Sequence, residues 1–161
     1  MSREPDARPG VRFLIGAVLL GIGLGGLFDG IVLHQILQWH HMFSTPAPPV
    51  TLESLELNTL GDGVFHAAAW ILVLAGLFVL LGADGGRAEP DARRRFVGGL
   101  LVGWGLFNVV EGVIDHHVLN IHHVRPGPDE LLYDVGFLAW GAAMLVIGRS
   151  VARPARQSFI R

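Results

Sequence analysis

No cysteine and no lysine occur anywhere in the 161 residues. Without cysteine there is no disulfide framework, no thiolate metal ligand and no cysteine nucleophile, and the redox compartment is left unread. Without lysine, all twelve basic side chains are arginine. Charge of either sign is scarce, at 16% of residues against 51% hydrophobic, with a mean hydropathy of +0.48. That balance argues against the surface of an ordinary soluble domain. The arginines are scattered over tails and connections, which excludes a nucleic-acid-binding domain.

What the chain does have is long apolar runs. They fill 13–28, 64–83, 96–110 and 135–147, and with weakly polar flanks each approaches the ~20 residues that cross ~30 Å of hydrocarbon. The expected fold is all-α, an integral membrane four-helix bundle with the lipid bilayer as its partner. Eleven arginines lie on one side: Arg3, Arg8 and Arg12 before the first span, Arg87, Arg93, Arg94 and Arg95 between the second and third, and Arg149, Arg153, Arg156 and Arg161 after the fourth. Only Arg125 lies on the other. By the positive-inside rule both termini are expected in the cytoplasm. No cleavable signal is evident, so the first helix is expected to stay as an anchor.

Residues 1–11 read as a disordered cytoplasmic lead-in, 12–152 as the transmembrane domain and 153–161 as a cytoplasmic tail. In the first outer connection, prolines break the chain and Thr51 is expected to cap a short interfacial helix. The inner connection over 82–94, rich in Gly, Asp and Arg, needs no fold of its own.

The chain also repeats itself. At an offset of 82 residues, DGIVLHQILQWHHM from Asp29 lies over EGVIDHHVLNIHHV from Glu111 without a gap, with acid, glycine, leucine and three histidines in register. Upstream, Gly16, Gly21 and Gly23 fall on Gly98, Gly103 and Gly105, and Arg12 falls on Arg94. More loosely, DGVFHAAAW from Asp62 resembles DVGFLAWGA from Asp134 at an offset of 72. The expected unit is a transmembrane helical hairpin present twice, over about 12–83 and 94–152, as parallel repeats about a pseudo-twofold axis along the membrane normal.

With this orientation the polar residues gather at one end. Asp29, His34, Glu111, Asp115, His116 and His117 fall in the outer parts of the first and third helices. Asp62, His66 and Asp134 fall in the first turns of the second and fourth. His40, His41, His122 and His123 follow at or just beyond the outer boundary. A charge at mid-membrane costs roughly 2.5–3.5 kcal/mol on insertion scales, so such a cluster is expected to face the bundle interior and pair internally. At 100° per residue, His34 lines up with His41 and Asp29 with His40, and the repeat gives His116 with His123 and Glu111 with His122. Asp62 and His66, four apart, share a face.

Imidazole with carboxylate and no thiolate suits zinc, divalent copper, nickel or iron. The leading ligand set is His34, His66 and His116 with one of Asp29, Asp62, Glu111, Asp115 or Asp134. His41 and His123 are held in reserve or form a second site, and His117, with no histidine at its repeat position, marks a single asymmetric site or is an accessory to two equivalent ones. His40 and His122 are equally explained as solvated interfacial residues. The Glu-x-x-His signature of di-iron bundles is absent. Haem b between facing histidines, as an electron-transfer or oxidoreductase module, is the alternative cofactor, and a proton-coupled transporter built on Asp29, Glu111 and the histidines is a third reading. The expected role is metal handling or delivery on the periplasmic side. Nothing selects a protein partner, whether a second copy or a periplasmic-side protein. Trp39, Trp70, Trp104 and Trp140 read as packing or interfacial anchors. Small-xxx-small glycines such as Gly21 with Gly25 and Gly99 with Gly103 permit close helix approach, and Asn108 is expected to face Gly26.

The strings GIGLGGLFDGIVLHQILQWHHM from Gly21, DGVFHAAAW from Asp62, GWGLFNVVEGVIDHHVLNIHHVRPG from Gly103 and YDVGFLAWGA from Tyr133 resemble a bacterial membrane family called domain of unknown function 2243. The resemblance covers nearly all of the chain apart from its tails. It implies the four-helix architecture and a bacterial inner membrane, and it assigns no activity.

Overall fold

A computed structural model describes residues 9–153. They form helices joined by short connections, with no strand among the described residues. Helix α1 runs Pro9–Phe28 and continues as a π-helix over Asp29–Ile36. Helix α2 runs Leu52–Leu81, α3 is the four-residue turn Asp84–Arg87, α4 runs Ala92–Glu111 and continues as a π-helix over Gly112–Val118, and α5 runs Glu130–Ala152. The apolar helical stretches Gly10–Ile36, Leu52–Leu81, Ala92–Val118 and Glu130–Ala152 are 27, 30, 27 and 23 residues long. At about 1.5 Å per residue even the shortest exceeds ~30 Å of hydrocarbon.

The local chemistry explains the ends. Pro9 opens α1, where a missing N–H costs nothing. Thr51 caps α2 in a reciprocal box with Ser54. It does not start a separate interfacial helix, because no breaker stands between Leu52 and the apolar run and the helix continues unbroken to Leu81. Asp62 therefore sits three turns into α2 rather than in its first. The inner connection is not wholly irregular either, since α3 occupies part of it. Of the expected lead-in, only 9–11 lie within the described residues and these are already helical; of the expected tail, only Arg153 does, and its backbone is extended.

Helix α1 packs against both α2 and α4, and α4 packs against α5. Glycines set these distances. A Cβ on Gly21 would overlap the carbonyl of Leu100, and one on Gly103 would overlap the carbonyl of Val18, so α1 and α4 cross backbone to backbone. Gly16 meets Gly76 across α1 and α2, and Gly98 meets Gly148 across α4 and α5. Close small-residue contact is how membrane helices associate where burial of apolar surface drives nothing.

Phe13, Ala17, Leu20, Leu80 and Ala83 make an apolar core at the arginine end. At the other end the buried residues are polar, among them Asp29, His34, His40, Asp62, Glu111, His116, His122 and Asp134. The outer surface is apolar, with Leu60, Val64, Trp70, Ile71 and Phe78 of α2 all exposed. Apolar outside and polar inside is the distribution that hydrocarbon surroundings require.

Candidate metal centre

Five residues apart on an α-helix means about 140° apart around its axis. Bonds from residue i to i+5 widen the turn and bring such residues onto one face. Both π-helical ends do this. Leu37 N–H donates to Val32 O at 2.8 Å and Leu119 N–H to Ile114 O at 2.7 Å, so Asp29 stacks with His34 and Glu111 with His116. His34 Nε2 lies 3.1 Å from Asp29 Oδ2, and His116 Nε2 lies 3.0 Å from Glu111 Oε1. Sequence periodicity, taken as α-helical throughout, pairs Asp29 with His40 instead. The helix ends before that pairing forms: Gln38 takes φ 51° and Asn120 φ 50°, and the chain folds back.

That reversal buries two of the four histidines that helical extrapolation puts at or beyond the boundary, His40 and His122, and leaves His41 and His123 part-buried. His40 and His122 are 2% and 1% exposed. His40 Nδ1 donates to the carbonyl of Val124 at 2.8 Å, and His122 Nδ1 donates to that of Met42 at 3.1 Å. A carbonyl only accepts, so each ring carries a proton on Nδ1, and His40, whose Nε2 has no partner, turns that lone pair inward. His122 Nε2 lies 2.9 Å from Glu111 Oε1. Burial, and then repulsion from His34 and His122, holds His40 far below the ordinary histidine range, at about 2. It is a neutral imidazole at any physiological pH.

Behind these rings stand two aspartates. Asp62 accepts from His34 Nδ1 at 2.8 Å, His41 Nδ1 at 2.7 Å, the Met42 N–H at 2.8 Å and Gln35 Nε2 at 3.0 Å. Asp134 accepts from His123 Nδ1 at 2.7 Å and the Val124 N–H at 2.9 Å, and lies 3.4 Å from His116 Nδ1. Asp62 thus fixes a helix histidine and the returning connection together, while Asp134 holds its returning connection and leaves His116 Nδ1 nearby without a hydrogen bond. No arginine reaches Asp29, Asp62, Glu111 or Asp134 among the described residues. Where ionised, they need a counter-charge from imidazolium or from a bound cation.

Two groups of side chains have donor atoms within 4.8 Å of one another: His34, His40 and His122, and Glu111, His116 and His122. Their imidazoles are close, with His34 and His40 centroids 4.3 Å apart and His116 and His122 5.1 Å apart. The Nε2 atoms of His34, His40 and His116 and the Oε2 of Glu111 have no hydrogen-bond partner. Unpartnered buried donor atoms turned toward one another are what a cation would satisfy.

The other sequence candidates lie around this centre. His41 and His123 hold the outer sides of Asp62 and Asp134. His66 is outside both groups; its Nε2 is buried without a partner against Gly30, where a Cβ would overlap it. Leu138 packs in the same way against Gly112. Asp115 is half-buried beside a lateral cavity with Glu111, and His117 is exposed, with its ring 6.5 Å from that of His116. Asn108 packs toward Gly141 of α5 rather than Gly26, whose neighbours are Ala69, Phe107 and Phe65. The sequence places His40 and His122 at or just beyond the outer boundary, where solvation explains them equally well. The available signal was their exact recurrence at the 82-residue offset, which solvated interfacial residues have no reason to keep.

No curated protein and no solved structure matches this chain. A family described as predicted membrane protein does, over residues 16–155, a stretch that takes in most of the first span, the other three whole and every residue of the centre. The chain belongs to that family, DUF2243.

Proposed function

We propose that the protein binds a transition metal at the histidine end of its bundle, through His34, His40, His116, His122, Asp29 and Glu111, with Asp62 and Asp134 orienting the rings. One observation carries this reading: the Nδ1 atoms of His34, His40 and His122 are tied to fixed acceptors, while donor atoms on both halves face one another unpartnered. Imidazole nitrogens and carboxylates without thiolate suit zinc, divalent copper, nickel or iron. Donors within 4.8 Å of one another can share one ion by small rotations that set each ~2.0–2.1 Å from it. The close packing of the rings favours ions over haem b, which needs its axial imidazoles on opposite faces of a wide macrocycle.

The same reading takes the chain as a duplicated hairpin. Support comes from geometry that recurs at the sequence offsets of 82 and 72: the π-helical ends, the φ angles of Gln38 and Asn120, the Asp62 and Asp134 hubs, and the exchanged carbonyl bonds of His40 and His122. The arginine distribution supports placing the centre on the periplasmic side of a bacterial inner membrane, in metal handling or delivery.

Elemental analysis of protein purified in mild detergent from cells grown with controlled zinc, copper and iron tests the reading. At least one ion per chain is expected, lost in His40→Ala with His122→Ala. A metal-free protein that takes up none of the three on titration overturns it.

A further inference from the structure

Where the π-helical end of α1 faces α4 and the start of α5, a cavity of about 310 Å³ opens through the side of the bundle. Its walls include Trp39, Trp104, Tyr133 and Trp140, and its polar members include Asp29 and Asn108. Leu132 and Trp140, which also line it, are 70% and 60% exposed, so the mouth faces lipid. Asn108 is 3% exposed and its Oδ1 has no hydrogen-bond partner. A buried amide oxygen left unpaired in a cavity wall points to a ligand that donates to it.

The chain carries its own control. Related by the same offsets, a second lateral cavity of about 360 Å³ touches Glu111 where the first touches Asp29, with Ile22 where the first has Trp104. Positions equivalent to Trp39, Asn108, Tyr133 and Trp140 are Ile121, Gly26, Gly61 and Ala68. This architecture packs without those aromatics and without that amide. Their presence on one half only reads as specificity for an occupant.

A mouth in the hydrocarbon admits a molecule dissolved in the bilayer, indole and phenol walls select a flat ring, and an unpaired acceptor selects a ring hydroxyl. We propose that this cavity holds the head group of a lipid-soluble quinol, its ring against the indoles, one ring hydroxyl donating to Asn108 Oδ1 and its tail leaving past Leu132 into lipid. Asp29 places the ring beside the histidine centre. Ring binding uses Asn108 and the aromatics, none of them a proposed metal ligand, and so stands or falls separately from metal binding.

Quenching of tryptophan fluorescence by decylubiquinol, titrated anaerobically into the full chain in nanodiscs, tests it. Saturable quenching is expected, weakened about tenfold by Asn108→Gly through loss of one hydrogen bond and by Trp104→Ile, each installing what the other half carries. Either variant suffices if its partner fails to fold by size exclusion and helicity. Quinol binding is expected to be the same after a chelator has stripped any metal from the wild-type chain as before. Unsaturable quenching, unchanged binding in every folded variant, or equal competition by decane, which would make the cavity a site for acyl chains, overturns the proposal.

Discussion

The rings of His40 and His122 lie stacked, centroids 4.6 Å apart and planes 11° apart, and each donates to a backbone carbonyl of the other's connection. Neither connection can hold its histidine without the other. Truncating one ring therefore loosens both. His40→Ala and His122→Ala are each expected to abolish most metal binding, and the double variant to be little worse than either single one. A double-mutant cycle on metal affinity by chelator competition checks this; simple additivity would show that the two rings act independently.

Asp62 touches no proposed ligand atom on the inner side, yet it fixes His34 through Nδ1 and seats the returning chain at His41 and Met42. Asp62→Asn keeps the shape and removes the charge. Metal affinity is expected to fall about 10- to 100-fold, the usual cost of losing an orienting carboxylate, with Asp134→Asn behaving alike. Asp62→Glu should restore less than half of the loss, because the longer stem displaces both imidazoles.

The crossing of α1 over α4 admits nothing larger than hydrogen at Gly21 and Gly103. Gly103→Val is expected to prevent the native bundle from forming, read as lost monodispersity on size exclusion in detergent. Gly63 and Gly136, which have nothing within 4 Å of an added Cβ, are the controls. Alanine at either should be neutral or stabilise slightly, since glycine is the poorer helix former by roughly 1 kcal/mol.

Thr51→Ala removes one side of the capping box at the start of α2. About 1 kcal/mol of stability should be lost, measured as a lower denaturation midpoint in mixed micelles. Metal content should be unchanged, because Asp62 lies three turns further along.

The four spans were legible because apolar length in a bilayer is almost a direct reading of structure, and the polar end was legible because charge in hydrocarbon has few places to go. Asp29, His34, Glu111 and His116 were named from sequence on that ground. Their partners were mispaired, since the i to i+5 bonding over Asp29–Ile36 and Gly112–Val118 changes which residues share a face. No composition signal announces a π-helix. His40 and His122 were undervalued because a helix extended in register carries them out of the membrane, whereas positive φ at Gln38 and Asn120 turns the chain back. His66 was named for its depth, and the structure places it outside both groups of close donor atoms, against Gly30.

The exchanged bonds of His40 with Val124 and His122 with Met42 also constrain the order in which the protein is made. A ribosome delivers the first hairpin alone. Asp29, His34, His41 and Asp62 can then pair among themselves, but His40 has no acceptor until Val124 arrives some eighty residues later. In a medium that solvates no polar group, that unfinished face recruits the second hairpin. The polar cluster thus ties the two parts of the chain together through hydrogen bonds that neither completes alone.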